Sequence, residues 1–276
     1  MDQDFQIFTT VRHDPQLIQI SGSEPWQHAG WNYRTESPFY MFDFHRDRLL
    51  KAARYWKWSS AVELLSSEDA LDELSKTTLA RISSQSEDPV RVKILISRQG
   101  QVTVESGPTK PKAIENLFPL RLPPPGEPVK AGDPQQSPVF TLVLDTSPTA
   151  ASAFTNYKTT RRVVYDAARQ RAGIALTDPK EVLLVNEENN HIMEGTILTP
   201  YFWRNGRWVT PPVSWQSSTG GGSGGQDGTT RRWALERGLA VEEIVLANSL
   251  IHGEECWLSN GLQGFVFAQL DLRPKD

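Results

Sequence analysis

The run Asn156-Tyr157-Lys158-Thr159-Thr160-Arg161-Arg162 sets a lysine beside two arginines. The residues after it, Thr159 to Ala172, have a helical pattern that ends at Gly173, so these cations stand at a helix start, where they oppose the helix dipole. An anionic ligand would offset that repulsion. Cationic neighbours also lower a lysine's pKa, which frees a neutral amine for covalent chemistry with a carbonyl. The plainer alternative is a solvated basic turn. A second candidate is Glu194, within Ile192-Met193-Glu194-Gly195-Thr196-Ile197. It either faces solvent or sits inside against a cation, because a buried unpaired carboxylate is too costly. A third is Gly228-Thr229-Thr230-Arg231-Arg232, a glycine-led entry into a helix. Free backbone N–H groups and two hydroxyls there suit a phosphate; a flexible linker before an ordinary helix is the alternative. The preceding run Gly220-Gly221-Gly222-Ser223-Gly224-Gly225 lacks the lysine and spacing of a nucleotide-binding loop. The segment therefore divides: Gly228 to Thr230 ordered on a phosphate, Gly220 to Gly224 a mobile loop near the site entrance. Two shorter groups, His45-Arg46-Asp47-Arg48-Leu49 and Ser259-Asn260-Gly261, read on their own as a helix cap region and a turn.

The elements that must carry these residues follow from periodicity. In the first half, Gln6 to Val11 and Phe39 to Phe44 are strand-like. Leu49, Ala53 and Trp56 mark one face of a helix from His45, and a second helix is expected from Ser67 to Arg81. Val90 to Ser97 and Gln101 to Glu105, joined by Arg98-Gln99-Gly100, predict a hairpin. In the second half, Val139 to Leu144, Glu181 to Val185, Thr196 to Trp203, Trp208 to Thr210, Ala240 to Leu246, Glu255 to Leu258 and Gly264 to Leu270 predict strands. Asn205-Gly206 is a hairpin turn, and Thr229 to Arg237 predicts a helix. Between the halves, Pro119 to Pro138 includes Pro123-Pro124-Pro125-Gly126 and can be neither a helix interior nor a central strand. The predicted organisation is a small α/β domain over 1–118, a Pro/Gly-rich linker over 119–138, and a strand-dominated domain over 139–276. The class is mixed α/β (α+β), with a barrel-like curved sheet and flanking helices in the second domain.

Composition narrows the function classes. The chain has 276 residues, 29 Lys and Arg against 33 Asp and Glu, and a formal charge of −4, without the basic surplus that phosphate-backbone binding usually leaves. Nucleic acid is not an expected partner. No apolar run approaches the roughly 20 residues of a spanning helix, and Met1-Asp2-Gln3-Asp4 lacks a signal-peptide pattern. A cytoplasmic protein with no membrane partner is expected. The single cysteine, Cys256, excludes an internal disulfide and a cysteine-based metal cluster, and no metal is expected.

Taken together and in this order, the pieces resemble the fold-type-IV pyridoxal-phosphate enzymes, the class-IV aminotransferase family. It includes branched-chain and D-amino-acid aminotransferases and 4-amino-4-deoxychorismate lyases. The resemblance runs from Phe8-Thr9-Thr10 to Asn260-Gly261 and implies a two-domain fold type IV enzyme with pyridoxal 5′-phosphate as cofactor, bound by the C-terminal domain. By this resemblance Lys158 matches the lysine that carries the cofactor, and Glu194 the carboxylate that pairs with its ring nitrogen and keeps it protonated. Arg48 matches the arginine of an H-x-x-R-L helix that reaches the phosphate. Thr229 and Thr230 match the loop that cradles that phosphate, and Asn260 a short polar side chain that approaches it. Phe8-Thr9-Thr10-Val11-Arg12 and Arg162 are similar to the lyase branch, and Thr10, Arg12 and Arg162 would orient two substrate carboxylates. Two departures stand out: Leu198-Thr199-Pro200 replaces a polar, asparagine-containing run, and Val163 stands where family aminotransferases place a tyrosine; Tyr165, further on, need not substitute for it. The implied activity is that of a 4-amino-4-deoxychorismate lyase, releasing 4-aminobenzoate and pyruvate for folate synthesis. An aminotransferase acting on another small-molecule amine and a non-catalytic protein of the same fold are the alternatives. The family also implies a homodimer; Trp26, Trp31, Tyr33, Phe39 and Tyr40 are aromatics that would suit an interface or a core.

Overall fold

The computed structural model describes residues 5–26, 36–82, 88–214 and 222–273. The chain forms two compact units, one of Met1–Pro111 with Tyr157–Arg161, the other of Lys112–Asn156 with Arg162–Asp276.

In the first unit, strand β1 (Ile7–His13) is followed by a short helix α1 (Gln16–Gln19), then by helices α2 (Phe42–Tyr55), α3 (Ser59–Ser66) and α4 (Ala70–Leu79), and strands β2 (Val90–Ile96) and β3 (Val102–Pro108). The sheet is antiparallel with β2 in the middle, and Thr9 stands opposite Ile94. Alternation in β2 sends Val92, Ile94 and Ile96 into a core with Ile7 and Val11, and α2 covers it with Phe42, Leu49 and Ala53. The aromatic run from Phe39 is not a strand. Phe39 makes one isolated bridge to His13, and the chain turns at Met41, whose φ is 53°, into α2. Phe39 and Tyr40 are fully buried, with Phe39 stacked on Phe42 at 4.5 Å. These aromatics line a core rather than a free face; Trp31 and Tyr33 lie outside the described residues. The helix predicted over Ser67 to Arg81 is also corrected. Ser67 is extended and terminates α3, and α4 starts only at Ala70. A serine with acidic residues behind it looks like a helix opening, yet here it closes an earlier helix whose short, serine-flanked sequence gives little periodic signal.

In the second unit the elements are helix α5 (Ile114–Leu117), strand β4 (Phe140–Leu144), helices α6 (Ala153–Asn156) and α7 (Val163–Ala172), and strands β5 (Lys180–Val185), β6 (Ile192–Gly195), β7 (Thr199–Arg204) and β8 (Arg207–Thr210). Helix α8 (Thr229–Glu236) and strands β9 (Val241–Glu242), β10 (Glu255–Asn260) and β11 (Gly264–Leu270) complete it. The strands form one sheet in the order β6-β5-β4-β11-β10-β7-β8-β9, a curled half-barrel. The β4 pairings with β5 and β11 are parallel. Strand β5 is buried on both faces: Leu183 and Val185 join Phe140, Phe202 and Leu258, whereas Val182 and Leu184 meet Tyr165 and Ala168 of α7. This two-sided burial explains its unbroken apolar run. Asn205 and Gly206 both have positive φ, as their β7–β8 turn requires. Two strand predictions are shortened: Thr196 to Trp203 begins only at Thr199, and Ala240 to Leu246 is a strand only at Val241–Glu242, with an isolated bridge from Leu246 to His191. Pro200 pairs with Leu258 of β10, and pairing to β8 begins only at Phe202. The proline thus sits beyond the doubly paired part of its strand, where a missing donor costs least.

The proline-rich stretch 119–138 belongs to the second unit and is bound to it. Trp208 Nε1 donates to the Leu122 carbonyl at 2.8 Å, Gly126 N to Glu255 at 2.9 Å, and Arg121 pairs with Asp133. Among the described residues no helix is long and apolar enough to cross a membrane.

Candidate active site

Lys158 is not at a helix start. It lies on an extended segment beside β1: Phe8 N donates to the Lys158 carbonyl at 3.1 Å, Thr160 N donates to the Gln6 carbonyl at 2.9 Å, and Ile7 bridges Thr159. Helix α7 begins only at Val163, with Arg162 as its N-cap. The lysine's position is therefore set by backbone pairing with β1. Its Nζ lies 5.0 Å from the centre of the Phe8 ring.

In the same unit, a polar chain runs through Arg48, Thr9 and His45. Arg48 Nη2 donates to Thr9 Oγ1, and Thr9 Oγ1 lies 2.5 Å from His45 Nδ1. Arginine can only donate, so the threonine oxygen accepts from it. Burial pushes the His45 pKa well below its usual value, and the charges of Arg48 and Lys158 push it further. The ring stays neutral at physiological pH, buried among cations. Sequence reading treated His45 as part of a helix cap and did not single out Thr9. Thr10, opposite Lys93 on β1, is half-buried. Arg12 is fully buried, with Nε on Asp14 at 2.7 Å and Nη1 on the Lys110 carbonyl at 3.0 Å, while Nη2 meets no partner among the described residues. Its charge is already balanced by Asp14, leaving one N–H pair for any further role.

In the second unit, Glu194 on β6 is 8% exposed, so the inward reading of this carboxylate is the right one. Its Oε1 accepts from the Tyr165 hydroxyl at 2.6 Å, and Tyr165 Oη accepts from Gln226 Nε2 at 2.8 Å. Neither partner was predicted: Tyr165 was set aside on spacing, and Gln226 carries no motif. The glycine run explains how Gln226 arrives there. A Cβ on Gly225 would stand 2.5 Å from the Met193 carbonyl oxygen and 3.1 Å from Glu194 Cβ, so only glycine lets this segment press against β6. The predicted mobile loop is corrected for Gly222 to Gly224. Ser223 N donates to the Pro212 carbonyl at 2.8 Å, Asn186 reaches the Ser223 carbonyl at 3.1 Å, and Thr155 Oγ1 donates to the Gly224 carbonyl at 2.8 Å. Gly220 and Gly221 lie outside the described residues.

Gly228 caps α8, and Thr229 and Thr230 form its first turn. The Thr229 hydroxyl is buried and meets no partner among the described residues. Thr230 Oγ1 instead joins Ser259 Oγ at 2.7 Å, and Ser259 joins Tyr201 Oη at 2.9 Å. A helix start with free N–H groups and a buried, unsatisfied hydroxyl fits a phosphate. Arg231 turns away to Asp227, Glu242 and the Pro211 carbonyl. Asn260 is used by its own turn: Oδ1 accepts from Leu262 N and Gln263 N, and Nδ2 reaches the Ile197 carbonyl at 3.2 Å. The structure thus brings Ser259, not Asn260, to Thr230. Arg162 Nη2 donates to the Thr196 carbonyl at 2.7 Å, and its guanidinium lies 4.4 Å from the Tyr165 ring centre.

Behind Glu194 the chain turns sharply around Glu181, which is fully buried. Its carboxylate accepts from the backbone N–H groups of Val182, Thr196, Ile197 and Leu198 at 2.8–3.0 Å, from the Thr196 hydroxyl, and from Arg169 at 3.4 Å. Apolar surroundings hid this residue in the sequence, where it reads as the polar start of a strand.

The family model for "Amino-transferase class IV" matches residues 30–269. The chain belongs to the class-IV aminotransferase family. Within it, a stretch of 141 residues is 31% identical to an aminodeoxychorismate lyase of Saccharomyces cerevisiae, covering 45% of this chain and 35% of the relative. Another of 141 residues is 28% identical to a Schizosaccharomyces pombe protein provisionally named an aminodeoxychorismate lyase, covering 49% of this chain and 57% of the relative. The chain thus matches little more than half of one curated relative and about a third of the other. Among solved structures, the PLP-bound form of a hypothetical aminotransferase from Mycobacterium tuberculosis superposes with a TM-score of 0.59 over 98% of this chain and 83% of that one, at 16% identity. That likeness is one of fold. The chain is an enzyme of the class-IV aminotransferase and lyase family.

Proposed function

We propose that the protein is a 4-amino-4-deoxychorismate lyase that uses pyridoxal 5′-phosphate. The cofactor follows from the family and agrees with the second unit, where a buried carboxylate, Glu194, and an unsatisfied hydroxyl, Thr229, stand ready for a cationic ring nitrogen and a phosphate. When bound, it supplies an electron-accepting ring. Lys158 carries it. Glu194 holds a proton at the ring nitrogen, and Arg48, Thr229 and Thr230 hold the phosphate, with Asn260 shaping the nearby turn. In the reaction the Lys158 amine takes the proton from the amine-bearing carbon and returns a proton to the enolpyruvyl group. Pyruvate then leaves and the six-membered ring becomes aromatic, which makes the step downhill. Thr10, Arg12 and Arg162 orient the substrate carboxylates.

The observation that carries the lyase reading is the shared stretch with the two yeast relatives, both named for that activity. It is supported at Val163, which is 71% exposed and offers no hydroxyl where family aminotransferases place a tyrosine. The solved aminotransferases of the same fold favour transamination as the second reading. Supplying aminodeoxychorismate to the holoenzyme and, separately, an amino acid with a keto acid decides between them. The lyase reading predicts 4-aminobenzoate and pyruvate in equal amounts from the first mixture and no turnover in the second. New amino acid from the second mixture alone would contradict it.

A further inference from the structure

We propose that Tyr165 is a positioning residue for Glu194, a buried hydroxyl that keeps this carboxylate charged and aimed, with Gln226 setting the direction of its hydrogen. The inference rests on reading Glu194 as the partner of the cofactor's ring nitrogen. Tyr165 lies in the first turn of α7, 1% exposed, and its single hydrogen has Glu194 Oε1 at 2.6 Å and the Thr155 carbonyl at 3.1 Å. The Gln226 amide nitrogen can only donate, at 2.8 Å, so it occupies a lone pair of the phenol oxygen and leaves that hydrogen to the acceptors. The carboxylate is the closer and stronger of the two. Burial, together with the neighbouring Glu194 charge, holds the phenol pKa well above its ordinary value, so Tyr165 remains a donor at every working pH. The ring itself is gripped. The Arg162 guanidinium lies over it at 4.4 Å and is tied to the Thr196 carbonyl at 2.7 Å. On the other side, Gly225 admits Gln226 only because no Cβ stands against Met193 and Glu194.

A carboxylate at this depth tends to take up a proton, since burial disfavours its charge, and a hydrogen bond to its charged form opposes that tendency. A Glu194 that became neutral would no longer hold a proton at the ring nitrogen. Tyr165 therefore acts through Glu194 and need not touch substrate or cofactor. The tyrosine stands on the inner face of α7 and Val163 on its outer face.

The test is a pH titration of the visible absorbance of the bound cofactor in wild type, Tyr165→Phe, Glu194→Gln and the double variant, with cofactor affinity measured on each. Loss of positive charge at the ring lets the bound chromophore keep its own proton to higher pH. Glu194→Gln is expected to raise the titration midpoint, and Tyr165→Phe to raise it less, by about one pH unit. In the Glu194→Gln background, Tyr165→Phe is expected to add nothing, and kcat falls in the single variant while KM stays put. If Tyr165→Phe proves too unstable to load, Gln226→Leu keeps the phenol, removes its donor and is expected to shift the midpoint the same way. A midpoint unmoved by Tyr165→Phe, but moved by Glu194→Gln, overturns the inference. Equal shifts from Tyr165→Phe in both backgrounds overturn it too, since the tyrosine would then act without Glu194. An unmoved midpoint in Glu194→Gln removes the underlying reading of that residue instead.

Discussion

Thr229 and Thr230 are neighbours in the sequence with the same side chain, yet their surroundings differ. Thr229 Oγ1 is buried without a partner among the described residues, whereas Thr230 Oγ1 is joined to Ser259. Thr229→Val should therefore weaken cofactor binding by about 1.5–3 kcal/mol, the range for a hydrogen bond to a charged group, or roughly tenfold to a hundredfold in Kd. Thr230→Val should cost about 1 kcal/mol of stability with a smaller change in Kd. Fluorescence titration of the apoprotein with pyridoxal phosphate reads both; strong loss in Thr230→Val alone would reverse the assignment. Sequence spacing could locate this pair but not separate its members, because the difference comes from a strand residue, Ser259, that lies far along the chain. The same holds for Glu194. Its neighbours in sequence suggest either an inward or an outward carboxylate, and only the Tyr165 hydroxyl, brought in by α7, shows why the inward position is tolerable.

Among the elements, the strand-to-strand turn from Glu194 to Thr199 depends on a side chain rather than on turn residues. Four backbone N–H groups converge on the Glu181 carboxylate, and a Cβ on Gly195 would meet Glu181 Cγ at 2.8 Å. Glu181→Ala would take from these N–H groups their buried carboxylate acceptor and from Arg169 the charge that faces it. The expected loss is about 3–5 kcal/mol, the cost of breaking a buried charge pair. Urea denaturation of the apoprotein measures it, and a loss below about 1 kcal/mol would show that water replaces the carboxylate. Periodicity found β5 and the β7–β8 turn because two-sided burial and an Asn-Gly pair are local signals. It misplaced the start of α7, since Lys158 and the threonines after it obey pairing with β1, a contact distant in sequence. It also split the glycine run wrongly: Gly222 is small because the backbone of Ser214 presses on it and Gly225 because β6 does, and sequence alone cannot distinguish that from flexibility.

At the scale of the whole chain, the segment Tyr157–Arg161 belongs to the first compact unit, although both of its flanks in sequence belong to the second. The sequence break read at 119–138 is a composition boundary; the stretch itself is tied down by Arg121, Gly126 and Trp208. What was legible at this scale is the family, from the order of motifs between the Phe-Thr-Thr strand and the Gly-Thr-Thr-Arg loop; the family model covers residues 30–269, which leaves out Phe8-Thr9-Thr10. We propose that the covalent chemistry is on Lys158, whose backbone pairs with β1 in a unit that also contains the buried His45 and the cation Arg48. Reduction of the pyridoxal-phosphate-loaded protein with borohydride, followed by peptide mapping, tests that placement directly. The account predicts a single label on the peptide containing Lys158 and none in Lys158→Ala; a label on another lysine in the wild-type protein would contradict it.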